Sequence, residues 1–348
     1  MEIQQNISLA PYTTLGIGGP AQWFAQARSE ADVIAAVEFA RERSLPLFVL
    51  GGGSNLLVAD AGFPGLVLHI ALSGLRTESD GSDVLFTAAA GEEWDAFVAA
   101  TVEQNCAGLE CLSGIPGTVG GTPVQNVGAY GQEVSATIAC VRALDRTSLH
   151  WVEFNNAACQ FAYRSSRFNT AERERYIVTS VVYRLRRSGA PLLAYKDVAQ
   201  IFAGHKEPPT LAEVRAAVRT VRQRKGMLLT PGDPDCKSAG SFFKNPVIDT
   251  AHAERLRQQY AAMPHFAAGA GCVKIPAAWL IEQTGFSKGA ALGAAGISSK
   301  HTLALVNRGG ATAAEMMALR DAIRARVAER FGITLEQEPV CVGAGLTA

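Results

Sequence analysis

Glycine is concentrated in three short stretches of this sequence, and this distribution constrains the fold more than any other feature. The 348 residues include 34 glycines, which cluster in residues 14–21 (TLGIGGPA), 50–55 (LGGGSN) and 113–131 (SGIPGTVGGTPVQNVGAYG). Glycine permits backbone conformations and close approaches that a side chain would block. The chain must therefore turn tightly, or come close to another group, at these three places.

The overall composition is that of an ordinary globular protein and argues against several classes of function. Hydrophobic residues make up 48% of the chain and charged residues 18%, and Lys+Arg and Asp+Glu both number 32. No basic excess favours nucleic acid as a partner. The first ten residues are polar and acidic, which predicts no secretory signal, and no apolar run approaches the roughly 20 residues of a membrane-spanning helix. We therefore expect a cytoplasmic protein with no nucleic-acid partner and no membrane insertion.

Cysteine and histidine spacing gives no indication of a metal site. The seven cysteines are odd in number and contain no Cys-x-x-Cys pair, and the six histidines show no spacing typical of metal ligands. Disulfide frameworks and structural zinc sites have recognisable cysteine patterns. We therefore expect buried, reduced thiols and no bound metal.

Apolar periodicity predicts helices and strands that do not alternate regularly, which favours an α+β fold over a doubly wound sheet. A final strand would place Glu336 and Glu338 on one face, because side chains alternate along a strand. The predicted helices cover residues 29–43, 92–105, 211–224, 276–285 and 312–332, and the predicted strands cover residues 45–50, 65–70, 83–90, 175–186, 301–307 and 333–342.

The loop at residues 50–55 does not match the Rossmann fingerprint. Leu56 stands at its third glycine position, and the continuation resembles a strand rather than a helix. Three glycines followed by Ser54 and Asn55 can still present backbone N–H groups to a phosphate. Taken alone, such a loop is explained equally well as a plain tight turn between two strands.

The longer glycine-rich stretch favours a bound cofactor over a simple turn. Residues 114–131 have a glycine at nearly every third position, together with neutral hydrogen-bonding side chains such as Thr118 and Thr122. A turn does not need that length, whereas an extended cofactor with a diphosphate, laid along the backbone, does. We therefore predict a nucleotide cofactor outside a Rossmann fold, and specifically a flavin.

Few side chains lie in a pattern that suggests catalysis. Ser241 lies in SAGSFFKNP (238–246), between a glycine and two phenylalanines. Arg164, in FAYRSSRFN (161–169), can hold a carboxylate through two parallel hydrogen bonds, although an arginine stacked on aromatic rings for packing is at least as common. Glu338 can equally be a solvated strand residue, and Lys225 can equally be a surface lysine.

Seven motifs follow one another in an order typical of a known family: TLGIGGPA, GGGSN, GIPGTVGGTPVQNVGAYG, YRSSRF, SAGSFFKNP, AAWLIEQTG and LEQEPVCVG. Over nearly its whole length the chain resembles the UDP-N-acetylenolpyruvoylglucosamine reductases, flavin enzymes of bacterial peptidoglycan precursor synthesis. The resemblance implies a two-part FAD-binding region of the vanillyl-alcohol-oxidase type, residues 1–66 and 67–222. It also implies a C-terminal α+β substrate-binding domain, residues 223–348.

The resemblance further implies a reaction and its partners. NADPH would reduce FAD, and the enolpyruvyl ether of UDP-N-acetylglucosamine would then be reduced to UDP-N-acetylmuramate by a monomer in the cytoplasm, in support of cell wall biogenesis, cell shape and cell division. A flavin oxidase or dehydrogenase of the same fold is the first alternative. A nucleotide-sugar-binding regulatory module without chemistry is the second.

By motif, the resemblance assigns Ser241 as proton donor and places Arg164 and Glu338 where they stabilise an enediolate. Gln337 stands where the family usually has proline, which leaves the choice between Glu336 and Glu338 open. The substrate-contacting positions fall on Tyr195, Lys225 and Asn245. The residues predicted to bind the cofactor, all from the glycine-rich stretches, are Gly51, Gly52, Gly53, Ser54, Asn55, Pro116, Gly117, Gly121, Thr122, Gly128 and Tyr130.

Overall fold

The computed structural model describes residues 1–346, which form two compact units. The first unit contains residues 1–7, 21–53 and 64–224, and the second contains residues 8–20, 54–63 and the C-terminal part from Lys225. Two short segments from the N-terminal fifth of the chain therefore belong to the second unit. The predicted division of the flavin-binding region at residue 66 stays a prediction.

The helices and strands of the described residues are numbered in chain order. The helices are α1 (Glu30–Glu42), α2 (Trp94–Glu103), α3 (Lys196–Ala199), α4 (Leu211–Arg224), α5 (Thr250–Gln259), α6 (Ala277–Gln283) and α7 (Ala313–Phe331). The strands are β1 (Ile3–Ser8), β2 (Pro20–Ala27), β3 (Leu47–Leu50), β4 (Leu56–Val58), β5 (Phe63–Ile70), β6 (Leu75–Asp80), β7 (Asp83–Ala89), β8 (Cys106–Ala107), β9 (Gly128–Ala129), β10 (Gln132–Glu133), β11 (Ile138–Asp145), β12 (Trp151–Asn155), β13 (Tyr176–Arg187), β14 (Ser238–Ser241), β15 (Val247–Asp249), β16 (Phe266–Ala267), β17 (Cys272–Lys274), β18 (Ala291–Leu292), β19 (Ala295–Ile297), β20 (Ala304–Asn307) and β21 (Val340–Val342).

The first unit contains two larger sheets over a shared hydrophobic core, together with the short antiparallel pair β9-β10. One sheet has the strand order β1-β2-β5-β3, with β3 parallel to β5, and the other is the antiparallel sheet β12-β11-β13-β7-β6, in which β8 also pairs with β13. Val33 and Val37 of α1 pack in the same core as Phe86 of β7 and Trp94 of α2. This core fixes the carboxyl end of β3, which leads into the glycine-rich stretch 50–55. It also fixes the amino end of α2, which contacts the glycine-rich stretch 113–131.

Reciprocal capping boxes are present at the starts of long helices, including α4, where Thr210 and Glu213 exchange hydrogen bonds. Ser29 and Asp32 form a reciprocal capping box at the start of α1, and Thr312 and Glu315 do the same at α7. Each box supplies partners for backbone N–H groups that the first helical turn leaves unpaired. Gly332 ends α7 in the left-handed conformation, at φ +64°, which glycine adopts without strain.

The second unit is built around the sheet β14-β20-β19-β18, with a smaller sheet β15-β17-β16 and a parallel pair of β21 with β4. Phe242 and Phe243 are fully buried in its core together with Leu280 of α6 and Met316 of α7. None of the helices in the described part of the chain is long and apolar enough to cross a membrane.

The predicted strand over residues 333–342 is wrong for most of its length, because only Val340–Val342 forms a strand. The segment before it pairs with the segment around Phe243 through one isolated β-bridge, between Phe243 and Gln337. Pro339 has no backbone N–H and so cannot donate a hydrogen bond that would extend this pairing. Burial nevertheless alternates as expected, since Leu335 and Gln337 are buried and Glu336 is exposed.

The seven cysteines of the chain are free thiols. The prediction of reduced cysteines is thus confirmed, but only Cys106, Cys111 and Cys159 are buried and the other four are half-buried. Burial raises the pKa of Cys111 and of Cys159 to about 12, because a buried thiolate would lose its hydration.

Candidate active site

Two glycine-rich stretches of the first unit lie directly against each other. A Cβ atom on Gly52 would stand 2.6 Å from the Cα atom of Gly117, and one on Gly51 would stand 2.9 Å from Oγ1 of Thr118. Ordinary carbon contacts are about 3.5–4.0 Å. The two backbones therefore approach as closely as the absence of side chains allows, and Gly53 adds a turn at φ +60°.

Thr118 carries a buried hydroxyl that is not satisfied within this pair of loops. Its Oγ1 atom is shielded from solvent and has no hydrogen-bond partner in the described part of the chain. Leaving such a group unpaired costs about 1–3 kcal/mol, so a bound group with a hydrogen-bonding oxygen would be stabilised here. An uncharged cradle of backbone and one hydroxyl fits the phosphate and sugar oxygens of FAD. Sequence analysis named Thr118 as a hydrogen-bonding group but left it out of the cofactor set.

Two further residues of the glycine-rich stretch, Gly121 and Thr122, lie in different environments. A Cβ atom on Gly121 would meet no atom of residues 1–346 within 4 Å other than those of its chain neighbours, so this position is open. The hydroxyl of Thr122, in contrast, lies 2.6 Å from the hydroxyl of Tyr183 and donates to the carbonyl of Val119 at 2.8 Å. Thr122 is therefore engaged within the protein, whereas Gly121 leaves space beside the loop.

Arg164 lies beside the end of the same stretch. Its Nη2 atom donates to the carbonyl oxygen of Gly128 at 2.8 Å, and its guanidinium lies 5.4 Å from the ring centre of Tyr163. Its backbone has φ +53°, a conformation that is costly for a non-glycine residue and is maintained by surrounding contacts. The neighbouring Arg167 differs, because Glu172 and the carbonyl of Ala158 hold its guanidinium in a structural role.

The rings of Tyr195 and Tyr130 contact each other in the first unit, and the sequence had not predicted this contact. Their ring centres are 5.1 Å apart in an edge-to-face arrangement, which aromatic pairs favour. Tyr130 is 8% exposed and Tyr195 is 40% exposed. A residue predicted to bind the cofactor and one predicted to bind the substrate thus contact each other.

In the second unit, Ser241 is held beside the segment that carries the two candidate glutamates. Ser241 ends β14, and the next residue, Phe242, accepts a hydrogen bond from the N–H of Glu338 at 2.9 Å. The N–H of Lys244 donates to the carbonyl of Glu336 at 2.9 Å. Because Phe242 and Phe243 are buried to 0% and 1% exposure, they anchor the half-buried Ser241 in a fixed position.

The structure distinguishes Glu338 from Glu336. Glu336 is exposed and forms an ion pair with Lys244, whereas Glu338 is half-buried. Asn55 lies beside Glu338, since its Nδ2 atom donates to the carbonyl of Glu338 at 3.2 Å and its own carbonyl accepts from Val340 at 2.9 Å. Asn55 and Ser54 therefore belong to the second unit, together with Ser241, and not to the first unit with Gly51.

Two of the predicted substrate positions, Asn245 and Lys225, also lie in the second unit, whereas Pro116, predicted to bind the cofactor, lies in the first. Asn245 accepts a hydrogen bond from the N–H of Ala277 at 2.9 Å, at the start of α6. Lys225 lies close enough to His301 to affect its ionisation: burial, followed by the charges of Lys225 and Lys288, lowers the pKa of His301 to about 4. The imidazole of His301 is therefore neutral at pH 7.

Comparison with known proteins identifies the family and the fold. A family model described as "UDP-N-acetylenolpyruvoylglucosamine reductase, C-terminal domain" matches residues 233–342, and one described as "FAD binding domain" matches residues 21–148. The UDP-N-acetylenolpyruvoylglucosamine reductase of Thermobifida fusca is 48% identical over 354 residues, covering 98% of each chain. The protein of the same name from Pseudomonas aeruginosa is 43% identical over 341 residues, covering 97% of this chain and 98% of that one.

Among solved structures, the UDP-N-acetylenolpyruvylglucosamine reductase of Thermus caldophilus matches with a TM-score of 0.68 and 26% identity, covering 98% of this chain and 99% of that one. Together with the mixed helices and strands and the FAD-binding match, this confirms the predicted α+β fold class. The full-length relatives place the chain more narrowly. It belongs to the UDP-N-acetylenolpyruvoylglucosamine reductase family.

Proposed function

We propose that this protein reduces the enolpyruvyl ether of UDP-N-acetylglucosamine to UDP-N-acetylmuramate in the cytoplasm, as a step of peptidoglycan precursor synthesis, with NADPH as electron donor. The names of its full-length relatives and its FAD-binding match support an oxidoreductase of this kind. When bound, FAD supplies the hydride that NADPH has delivered to it.

The residues proposed to hold FAD are those of the two apposed glycine-rich stretches in the first unit. Gly51 and Gly52 on one side and Gly117 and Thr118 on the other leave only backbone and one buried hydroxyl at the contact. Gly121 provides open space next to them. Because this cradle has no side-chain charge, we expect recognition through neutral hydrogen bonds and close backbone contact.

Arg164 is proposed to stabilise the charge that develops on the substrate. Hydride addition to the terminal carbon of an enolpyruvyl ether leaves negative charge next to the carboxylate, which delocalises into an enediolate. A guanidinium presents several N–H donors in a fixed plane and matches such a pair of oxygens. The contacts of Arg164 with Gly128 and Tyr163 fix that plane before any substrate binds.

Ser241 is proposed to donate the proton that completes the reduction. A hydroxyl is a weak acid, but a carbanion is a strong base, so a neutral donor suffices and adds no charge to the site. The observation that carries this assignment is the backbone pairing of Phe242 with Glu338, because it holds the residue after Ser241, a buried aromatic anchor, against the backbone of a half-buried glutamate.

Glu338 is proposed to act either as a protonated hydrogen-bond donor or as a group that orients another side chain. An ionised carboxylate next to an enediolate would repel it, so a charged spectator is the least favourable role. A Glu338→Gln variant that retains most of the activity would favour the neutral hydrogen-bond donor, because an amide can donate from the same position without charge, whereas a large loss of activity would favour a role that needs the carboxyl group itself.

Ser241→Ala tests the proposed chemistry directly. We expect NADPH to bleach the flavin absorbance of this variant at the wild-type rate, because the serine acts only in the second half of the reaction, while turnover of the enolpyruvyl substrate is lost. Turnover within about tenfold of wild type, which corresponds to less than about 1.4 kcal/mol of barrier, would contradict the role of Ser241.

A further inference from the structure

The first turn of α2 and the residues before it form several hydrogen bonds with the glycine-rich stretch and with Leu112 just before it. We call residues 92–95 the α2 entry and residues 113–131 the glycine-rich loop. Trp94 donates from its indole to the carbonyl of Leu112 at 3.0 Å and from its backbone N–H to the carbonyl of Gly117 at 3.0 Å. The N–H of Val119 donates to the carbonyl of Glu92 at 2.9 Å. These hydrogen bonds therefore fix the position of the glycine-rich loop relative to the α2 entry.

Gly114 lies between Leu112 and Gly117 in this hydrogen-bonded segment, and charged side chains bind both of its backbone polar groups. Its N–H donates to Oδ1 of Asp95 at 2.6 Å, and its carbonyl accepts from Nε of Arg222 at 3.0 Å. Arg222 belongs to α4 and is 7% exposed. Gly114 also has φ +73°, a conformation that glycine adopts readily and a residue with a side chain does not.

Asp95 is itself held in place by two arginines of α4. Arg215 donates to both of its oxygens, at 2.6 and 3.0 Å, and Arg219 donates to Oδ2. Burial alone would raise the pKa of Asp95, but the hydrogen bonds from Arg215 and Gly114 and the charge of Arg219 hold that pKa below its usual value. The carboxylate is therefore ionised and rigid at neutral pH.

Two simpler roles do not account for the contact with Gly114. Asp95 does not cap α2, because Glu93 already accepts from the N–H groups of Asp95 and Ala96 at 3.3 and 2.7 Å. Attachment of α2 to α4 would need only the contacts between Asp95 and the arginines. The additional bond to Gly114 lies three residues before Gly117, whose Cα atom forms one wall of the proposed FAD cradle.

We propose that Asp95 and Arg222 are positioning residues for the cofactor: they clamp Gly114 from two helices and thereby set the distance between the Gly117–Thr118 wall and the facing Gly51–Gly52 wall. Arg222 also forms a hydrogen bond with the hydroxyl of Tyr130, near the far end of the glycine-rich loop. The clamp thus joins both ends of the loop to α4. This inference rests on the proposed FAD site and adds residues that do not touch the cofactor cradle themselves.

The test compares Asp95→Ala with Arg219→Ala, using the full-length apoprotein and FAD alone. Both variants remove the Arg219–Asp95 ion pair between α2 and α4, but Arg219→Ala keeps the Arg215–Asp95 pair and only Asp95→Ala removes the acceptor for Gly114. We expect the dissociation constant for FAD, measured by quenching of flavin fluorescence, to rise by about tenfold or more in Asp95→Ala. In Arg219→Ala it should stay within about twofold of wild type. The unfolding temperature of each apoprotein, measured in parallel, reports the loss of the ion pair.

An Asp95→Ala variant that is folded and binds FAD as tightly as wild type would overturn the clamp, and so would equal weakening in both variants. Asp95→Asn provides a second comparison, because its amide oxygen can still accept from Gly114 without the charge. We expect it to bind FAD within about threefold of wild type, and an affinity as low as that of the alanine variant would contradict the acceptor role. No sugar nucleotide is present in this experiment, so its outcome is independent of the proposed reaction, which the Ser241→Ala variant tests.

Discussion

Replacing Gly52 by alanine should separate the glycine-rich loops of the first unit and weaken FAD binding. The backbone of Gly52 is not in the left-handed region, so alanine meets no conformational penalty there. The new Cβ atom would stand 2.6 Å from Cα and 2.8 Å from the carbonyl carbon of Gly117. Ordinary contacts are about 3.5–4.0 Å, and both neighbours are backbone atoms that cannot rotate away. One loop must therefore move by about 1 Å, at a cost of about 1–3 kcal/mol.

If FAD binds only at the native loop spacing, this cost appears in its affinity as a rise of about 5- to 150-fold in the dissociation constant. Fluorescence titration of the apoprotein with FAD measures it. Gly189→Ala is the matched control, because its Cβ atom would also be crowded, at 2.9 Å from Cβ of Ala107, at a site outside the glycine-rich loops. Both variants should lower the unfolding temperature. A Gly52→Ala variant that binds FAD within twofold of wild type, or a Gly189→Ala variant that loses as much affinity, would refute the reasoning.

Three further predictions concern the second unit. Because the pKa of His301 is lowered from 6.5 to about 4, the unfolded chain binds a proton more readily, so stability is full above pH 6.5 and falls towards pH 4. Between pH 7 and pH 5 the wild type should lose about 2 kcal/mol more of its free energy of urea unfolding than His301→Gln, and equal losses would exclude the effect. Asp60 accepts from the N–H groups of Ala313 and Ala314 at 2.7 and 3.0 Å, so Asp60→Ala should cost about 0.5–2 kcal/mol of that free energy, whereas an unchanged value would show that water replaces the carboxylate. Glu338→Ala should lower the rate of turnover far more than Glu336→Ala, since Glu336 forms only an exposed ion pair, which contributes about 0–1 kcal/mol, and equal effects on turnover would remove the distinction between them.

Local sequence signals were sufficient for the long helices. The predicted helix over residues 211–224 coincides with α4, and the Ser29 and Thr312 capping patterns mark the starts of α1 and α7. These signals depend only on residues within one or two turns. Strands of two or three residues, such as β16 and β18, have too few side chains to show a period and were not predicted.

Long-range pairing was invisible in the sequence. The parallel pair of β4 and β21 joins Leu56 to Val340, and no local pattern indicates that residues 54–63 belong with the C-terminal unit. For the same reason Ser54 and Asn55 were grouped with the glycines that precede them. The motif was continuous in sequence, whereas the chain passes from one unit to the other between Gly53 and Ser54.

The candidate site was predictable where a residue type is required and hidden where only geometry matters. The glycines of both loops stand out because their close approach requires the absence of Cβ atoms. Asp95 gives no such signal, since it resembles an ordinary acidic residue at the start of a helix, and its partners Arg215 and Arg219 lie about 120 residues further along the chain. Thr118 likewise shows its significance only through the burial of its unpaired hydroxyl.

The central claim is that this chain transfers electrons from NADPH to the enolpyruvyl ether of UDP-N-acetylglucosamine through bound FAD. An anaerobic absorbance titration of the purified protein tests it most directly, with NADPH added first and the enolpyruvyl substrate second. We predict that the flavin band is bleached by NADPH and returns with one equivalent of substrate. A band that is bleached but does not return would contradict the proposed substrate, and a protein without a flavin band, even after incubation with FAD, would contradict the assignment of the glycine-rich loops.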